Sequence, residues 1–99
     1  MEGFNQLNKA FDSRVRLGLM AILCVNSWIS YREIKTLLEV TDGNLASHIN
    51  ALDKINFLEI KKQFTGKKPL TTYKVTLEGK KAFNKHIEGL EKMLLRWIW

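Results

Sequence analysis

The sequence predicts a single α+β domain that is mostly α. Three observations predict it. Apolar residues recur at helical spacing in four separate stretches, each preceded by a Ser, Thr or Asp suited to capping a helix. One further stretch, residues 57–76, switches to a strand-like period and is broken by Gly66 and Pro69. The chain has 99 residues, which fits one domain and one core.

The elements follow in order. Residues 1–11 form a lead-in in which Phe4, Leu7 and Phe11 make an amphipathic face. Asp12 and Ser13 are N-cap candidates for a first helix over residues 12–25, with Val15, Leu19, Ile22 and Leu23 on its apolar face. Asn26-Ser27 ends that pattern. Ser30 and Glu33 have the spacing of a capping box, opening a second helix over 30–40 with Ile34, Leu37 and Leu38 inward. Thr41 then caps a third helix over 41–56. Its apolar stripe is Leu45, Ile49 and Leu52, and its other face is polar, short-chained and nearly uncharged.

Residues 57–76 read as a hairpin. Residues 57–64 and 71–76 form its strands, and residues 65–69 form a lysine-rich turn in which Pro69 ends the pairing. Thr76 caps a long last helix over 77–99. There Phe83, Ile87, Leu90, Leu94 and Trp97 step by four and three residues, a heptad-like seam. Three helices joined by a tight turn at 40–42, a basic hairpin and a long C-terminal helix describe a winged helix-turn-helix.

Charge narrows the function. The net charge is +6, from 16 basic and 10 acidic residues. Residues 1–60 carry six basic and seven acidic side chains, whereas residues 61–81 carry seven lysines against Glu78 alone. A local basic patch fits a polyanionic partner better than a small acidic substrate. The chain is too short for a core plus a deep substrate cavity, which disfavours a self-sufficient metabolic enzyme. The single cysteine, Cys24, excludes an intrachain disulfide and fits a reducing compartment. The longest apolar run, residues 17–25, is too short to span a bilayer and lacks a cleavage pattern. A cytoplasmic protein is therefore expected.

The segments Asp12-Ser13-Arg14-Val15-Arg16-Leu17, Thr41-Asp42-Gly43-Asn44-Leu45-Ala46-Ser47-His48, Phe64-Thr65-Gly66-Lys67-Lys68-Pro69 and Thr72-Tyr73-Lys74-Val75-Thr76-Leu77-Glu78-Gly79 carry a family resemblance. Together they resemble the small stand-alone winged-helix transcriptional regulators related to the MarR and ArsR groups, over nearly the whole chain. The resemblance implies a homodimeric DNA-binding transcription factor. The third helix would be its recognition helix, the hairpin its wing and the last helix part of its dimer interface. Metal-sensing relatives use paired cysteines or His/Asp/Glu clusters at fixed spacing. This chain has neither, so metal sensing does not carry over.

Four sets of residues are candidates. On the third helix, Gly43, Asn44, Ser47, His48 and Asn50 can approach base edges in a major groove, where hydrogen-bonding side chains read sequence. The bland alternative is an ordinary solvated face, which would normally be rich in Lys and Glu. On the hairpin, Lys62, Gln63, Lys67, Lys68, Thr71 and Thr72 suit DNA backbone or minor-groove contact. A charged edge that merely prevents strand aggregation is the alternative there. Ser13, Arg14, Arg16, Arg32 and Lys54 are further backbone candidates, with an Arg14–Asp12 ion pair as the rival reading. Phe4, Leu7, Phe11, Ile87, Leu90, Leu94, Trp97 and Trp99 would form a dimer interface unless the last helix folds back on its own core.

Cys24, His48 and His86 lack zinc-ligand spacing, and no catalytic constellation is visible; no metal or cofactor is expected. The expected function is sequence-specific binding of double-stranded DNA by a homodimer, repressing transcription by operator occupancy. The alternative is a winged-helix protein–protein adaptor, and an enzyme or small-molecule sensor is the third reading. A ligand pocket at the dimer interface, lined by Trp97, Phe83 or Phe11, stays open.

Overall fold

A computed structural model describes the backbone of residues 1–98 and the side chains of residues 1–96. Two 3₁₀ turns, Phe4–Gln6 and Lys9–Phe11, lead into α1 (Arg14–Val25). Then come β1 (Ile29–Ser30), α2 (Tyr31–Leu38), α3 (Asp42–Lys54), β2 (Leu58–Thr65), β3 (Lys68–Val75) and α4 (Leu77–Ile98). This is the α+β, mostly helical winged helix-turn-helix that the sequence predicts.

Side-chain caps fix where the helices begin. Ser13, not Asp12, caps α1: its Oγ accepts the Arg16 N–H at 3.4 Å. The Ser30 hydroxyl accepts the Glu33 N–H at 3.2 Å and donates to the Glu33 carboxylate at 3.0 Å, a variant of the capping box. Thr41 Oγ1 accepts the Asn44 N–H at 3.3 Å, and Thr76 Oγ1 accepts the Gly79 N–H at 2.9 Å. Each satisfies a donor that the first helical turn leaves free. The helix α2 ends earlier than expected, because Glu39 turns to φ 54° and returns its N–H to the Lys35 carbonyl.

The sheet corrects the sequence reading twice. It has three strands, in the order β1-β3-β2, not two. Ile29 and Ser30 pair antiparallel with Tyr73 and Thr72, an addition too short to leave a periodic signal. The turn is also tighter than expected. Thr65 pairs with Lys68, so only Gly66 and Lys67 make the connection, with Gly66 at φ 68°. Glycine first in a two-residue hairpin loop matches a type II′ turn. Pro69 does not end the pairing; it lies within β3, opposite Phe64. In such a hairpin the Thr65–Lys68 pair exchanges hydrogen bonds, so the next residue points its nitrogen away from β2. The strand β1 reaches only Thr72 and Tyr73, so proline lacks a donor where no partner strand needs one.

The core joins all layers. Leu19, Met20 and Leu23 of α1 pack with Ile34, Leu45, Ile49 and Leu52 of the helix-turn-helix. Phe57 just before β2, Leu58 and Tyr73 of the sheet and Phe83 of α4 complete it. Phe11 also belongs here, with 3% exposure: its ring lies 5.7 Å from Phe57, 5.4 Å from Phe83 and 5.1 Å from His86. It is therefore not a dimer-surface residue, because its own protomer covers it. The same burial removes Phe11 and Phe83 from any interface pocket.

The lead-in is clipped to α4. Gly3 sits at φ 88°, and a Cβ on Gly89 would lie 2.6 Å from the Gly3 carbonyl oxygen. Two glycines thus permit a contact that larger residues would prevent. Lys92 donates to the Gln6 side chain at 2.7 Å, and Arg96 meets Glu2 at 3.3 Å. The Asn8 N–H donates to His86 Nδ1 at 3.0 Å, so this nearly buried imidazole must be neutral with its proton on Nε2.

Burial lowers the His86 pKa, against a smaller opposing pull from Asp12. A histidine with a depressed folded value stabilises fully above its unfolded pKa of about 6.5, and that contribution fades as pH falls through the folded value. Thermal melts should therefore show falling stability as pH drops below about 6.5. His86→Phe should make that fall shallower. A parallel pH dependence in the variant would refute the assignment.

Candidate nucleic-acid interface

The structure turns one face of α3 outward. Leu45, Ile49 and Leu52 are buried, while Gly43, Asn44, Ser47 and Asn50 are exposed and His48 is half-buried. Asn44 and His48, four residues apart, share a side of the helix. The start of α3 is clamped to α2: the Tyr31 hydroxyl donates to the Asp42 carbonyl at 3.0 Å, and Lys35 pairs with the Asp42 carboxylate at 3.0 Å. The ion pair is solvated and contributes at most about 1 kcal/mol. Its value is positional, because it fixes the turn that aims α3. Lys35 gave no sign of this role in the sequence.

His48 is held from another element. The Arg16 Nε donates to His48 Nδ1 at 3.0 Å, joining α1 to α3. Burial and the Arg16 charge both lower the His48 pKa. Ser13 spends its hydroxyl on the α1 cap, whereas Arg14 is exposed and makes no ion pair among the described residues.

The hairpin of β2 and β3 forms the wing, with Glu59–Pro69 exposed throughout. Lys62, Gln63, Lys67 and Lys68 lie along it and at its tip. Thr72 does not: it is 8% exposed, between Ser30 and Lys61 in the sheet, and its hydroxyl has no partner among the described residues. Thr72 is therefore a sheet residue and no wing contact. The basic stretch divides in space. Lys61 and Lys74 stand 5.5 and 5.9 Å from the Trp28 ring, a cation–π pairing at the base of the sheet. Lys80 and Lys81 lie on α4, so the wing itself holds Lys62, Lys67 and Lys68.

An open cleft of about 660 Å³ separates the wing from the start of α2. Arg32 comes together there with Lys68 and Thr71, over a floor that includes Tyr31 and Tyr73. Lys54, at the other end of α3, is exposed. Exposed cations thus sit on the wing, at the start of α2 and at the end of α3, and the exposed middle of α3 is polar and nearly uncharged. That combination suits a duplex, where phosphate contacts position and base contacts specify.

The expected dimer residues divide as well. Phe4 and Leu94 are exposed, and Leu7 and Leu90 are half-buried. Ile87 packs against its own core. The side chains of Trp97 and Trp99 lie outside the described residues. Cys24 is half-buried, and burial raises its pKa against a weaker opposing pull from Lys80, so it stays a thiol. Among the described residues no three His, Cys, Asp or Glu side chains are placed to hold a metal. No described helix is long and apolar enough to cross a membrane.

Comparison with known proteins agrees with this geometry. A sequence model of the winged helix DNA-binding domain matches residues 15–94. The chain is 34% identical over 79 residues to an uncharacterized protein of Methanocaldococcus jannaschii, covering 80% of this chain and 86% of that one. The structure of a transcriptional regulator homologue from Pyrococcus horikoshii superposes with a TM-score of 0.81 at 25% identity, covering 88% of this chain and 86% of that one. A MarR-family protein from Porphyromonas gingivalis superposes with a TM-score of 0.68 at 19% identity, covering 90% of this chain and 85% of that one. With the fold and the basic wing already in place, the match fixes the family: this chain belongs to the winged helix DNA-binding domain family and is a DNA-binding regulator.

Proposed function

We propose that the protein acts as a homodimer that binds a palindromic operator in double-stranded DNA and represses transcription by occupying it. The observation that carries this reading is the outward, polar and nearly uncharged middle of α3, in a fold that also exposes a cationic wing and Arg14. The helix α3 enters the major groove, where Asn44, Ser47, His48 and Asn50 face base edges. Lys62, Gln63, Lys67 and Lys68 contact phosphates or the minor groove from the wing, with Thr71 and Arg32 beside the cleft. Ser13, whose cap oxygen accepts and whose O–H is left to donate, and Arg14 at the start of α1 take further phosphates, as does Lys54 at the end of α3.

Dimerisation through α4 is supported by its exposed apolar end. Leu94 and Leu95 are 56% and 59% exposed, and Phe4 nearby is 57% exposed. The Cα radius of gyration is 15.0 Å, against about 13 Å for a compact 100-residue domain, as a projecting helix and wing require. A two-fold dimer presents two copies of α3 to an inverted repeat. Repression needs no surface beyond those that bind, because an occupied operator excludes other proteins.

Selection from a random duplex library at near-physiological salt tests this. An enriched inverted repeat, with half-sites about one helical turn or a multiple apart, is the expected result. Retention without a motif would replace it with architectural binding. No retention would favour the adaptor reading. Asn44→Ala is expected to cost about 1–3 kcal/mol and to relax preference at one operator position. Unchanged preference would show that another residue reads that base.

A further inference from the structure

We infer that Arg16 is a positioning residue for base recognition, and that it sets which proton His48 offers to DNA. This deepens the reading of α3 as a recognition helix and rests on it. The two residues lie 32 positions apart, on α1 and α3, and meet through a hydrogen bond of 3.0 Å from Arg16 Nε to His48 Nδ1.

The chemistry of the pair fixes the tautomer. A guanidinium can only donate and is always charged, so His48 Nδ1 must accept. A neutral imidazole that accepts at Nδ1 carries its proton on Nε2. Burial and the adjacent guanidinium also disfavour the imidazolium. The outcome is a ring held by one edge, with a single N–H donor at the other. His48 is only half-buried, so part of the ring beyond the Arg16 contact faces solvent.

A lone donor at that place discriminates between bases. It pairs with acceptors such as guanine N7 and O6, adenine N7 or thymine O4, and rejects the amino group of cytosine or adenine. An unrestrained histidine would switch tautomer or rotamer and accept both kinds of edge. Arg16 thus confers selectivity without touching a base. Its role differs from the direct phosphate contact expected for it from the sequence, because its Nε–H faces His48.

Two measurements separate this inference from the reading it rests on. Nitrogen-15 NMR of the free protein should show His48 almost wholly as the Nε2–H tautomer, and a mixture in Arg16→Met. A tautomer mixture in the wild type would overturn the proposal, whatever the protein binds. In the library selection, Arg16→Met and His48→Ala should lose preference at the same operator position by roughly tenfold. The double variant should lose no more than either single one. If Arg16→Met instead weakens all sequences alike and lowers the salt dependence, Arg16 touches phosphate directly and the proposal fails. If the wild type binds no duplex while the tautomer is fixed, the DNA reading fails and the proposed role of Arg16 in base selection falls with it.

Discussion

Replacing Lys67 and Lys68 together with glutamate is expected to abolish duplex binding at near-physiological salt. Both side chains are exposed, one in the two-residue turn and one beside it. They pack against no part of the core, so the variant should melt with the wild type. Each reversal removes a cation that neutralises phosphate and adds a charge that repels DNA, and a dimer carries the change twice. If each protomer of the proposed dimer neutralises about three to four phosphates, log K against log salt should have a slope of about −6. The milder Lys67→Ala should weaken every duplex alike and make that slope shallower by about 1 for each phosphate left unneutralised. A charge-reversed protein that still selects its operator would show that the wing only guards the sheet edge.

Phe11→Ala is expected to be the most damaging substitution for stability. The ring fills the junction of the lead-in, Phe57 and the first half of α4. Removing a buried phenylalanine costs about 3–5 kcal/mol, out of a typical total of about 5–15 kcal/mol. For a domain of this size that lowers the melting temperature by at least about 12 °C. Phe4→Ala should leave the melt within the range of ordinary surface changes. Oligomeric state, measured alongside, separates the two positions. A Phe11→Ala protein that melts normally but dissociates would restore that residue to an interface.

The contrast between Phe4 and Phe11 shows what was legible in the sequence. Both belong to one apolar pattern, and both read equally well as surface for a partner. Only the approach of α4, more than seventy residues later, buries Phe11 and leaves Phe4 out. The helices were readable because their signals are local: Ser13, Ser30, Thr41 and Thr76 each act on an N–H three residues away. The outward polar face of α3 was readable for the same reason, since helical spacing sorts Asn44 and Ser47 from Leu45 and Ile49. The strand β1 was not, because two residues carry no period and pair only once β3 exists. Thr72 was misplaced for a related reason: alternation puts it on a face but does not say that β1 will pair beside it and make β3 the central strand. Arg16 and His48 each stood out, but the bond between them depends on how α1 crosses α3.

The clip between the lead-in and α4 also dictates an order of events during synthesis. Residues 1–12 leave the ribosome well before Phe83, His86 and Gly89. Until then Phe11 lacks Phe83 and His86, Gly3 has no Gly89 to meet, and the Asn8 N–H has no imidazole to accept it. The helix-turn-helix can gather its own leucines and isoleucines while the first dozen residues wait in water. Closure of the chain on itself is therefore a late step, taken when α4 arrives.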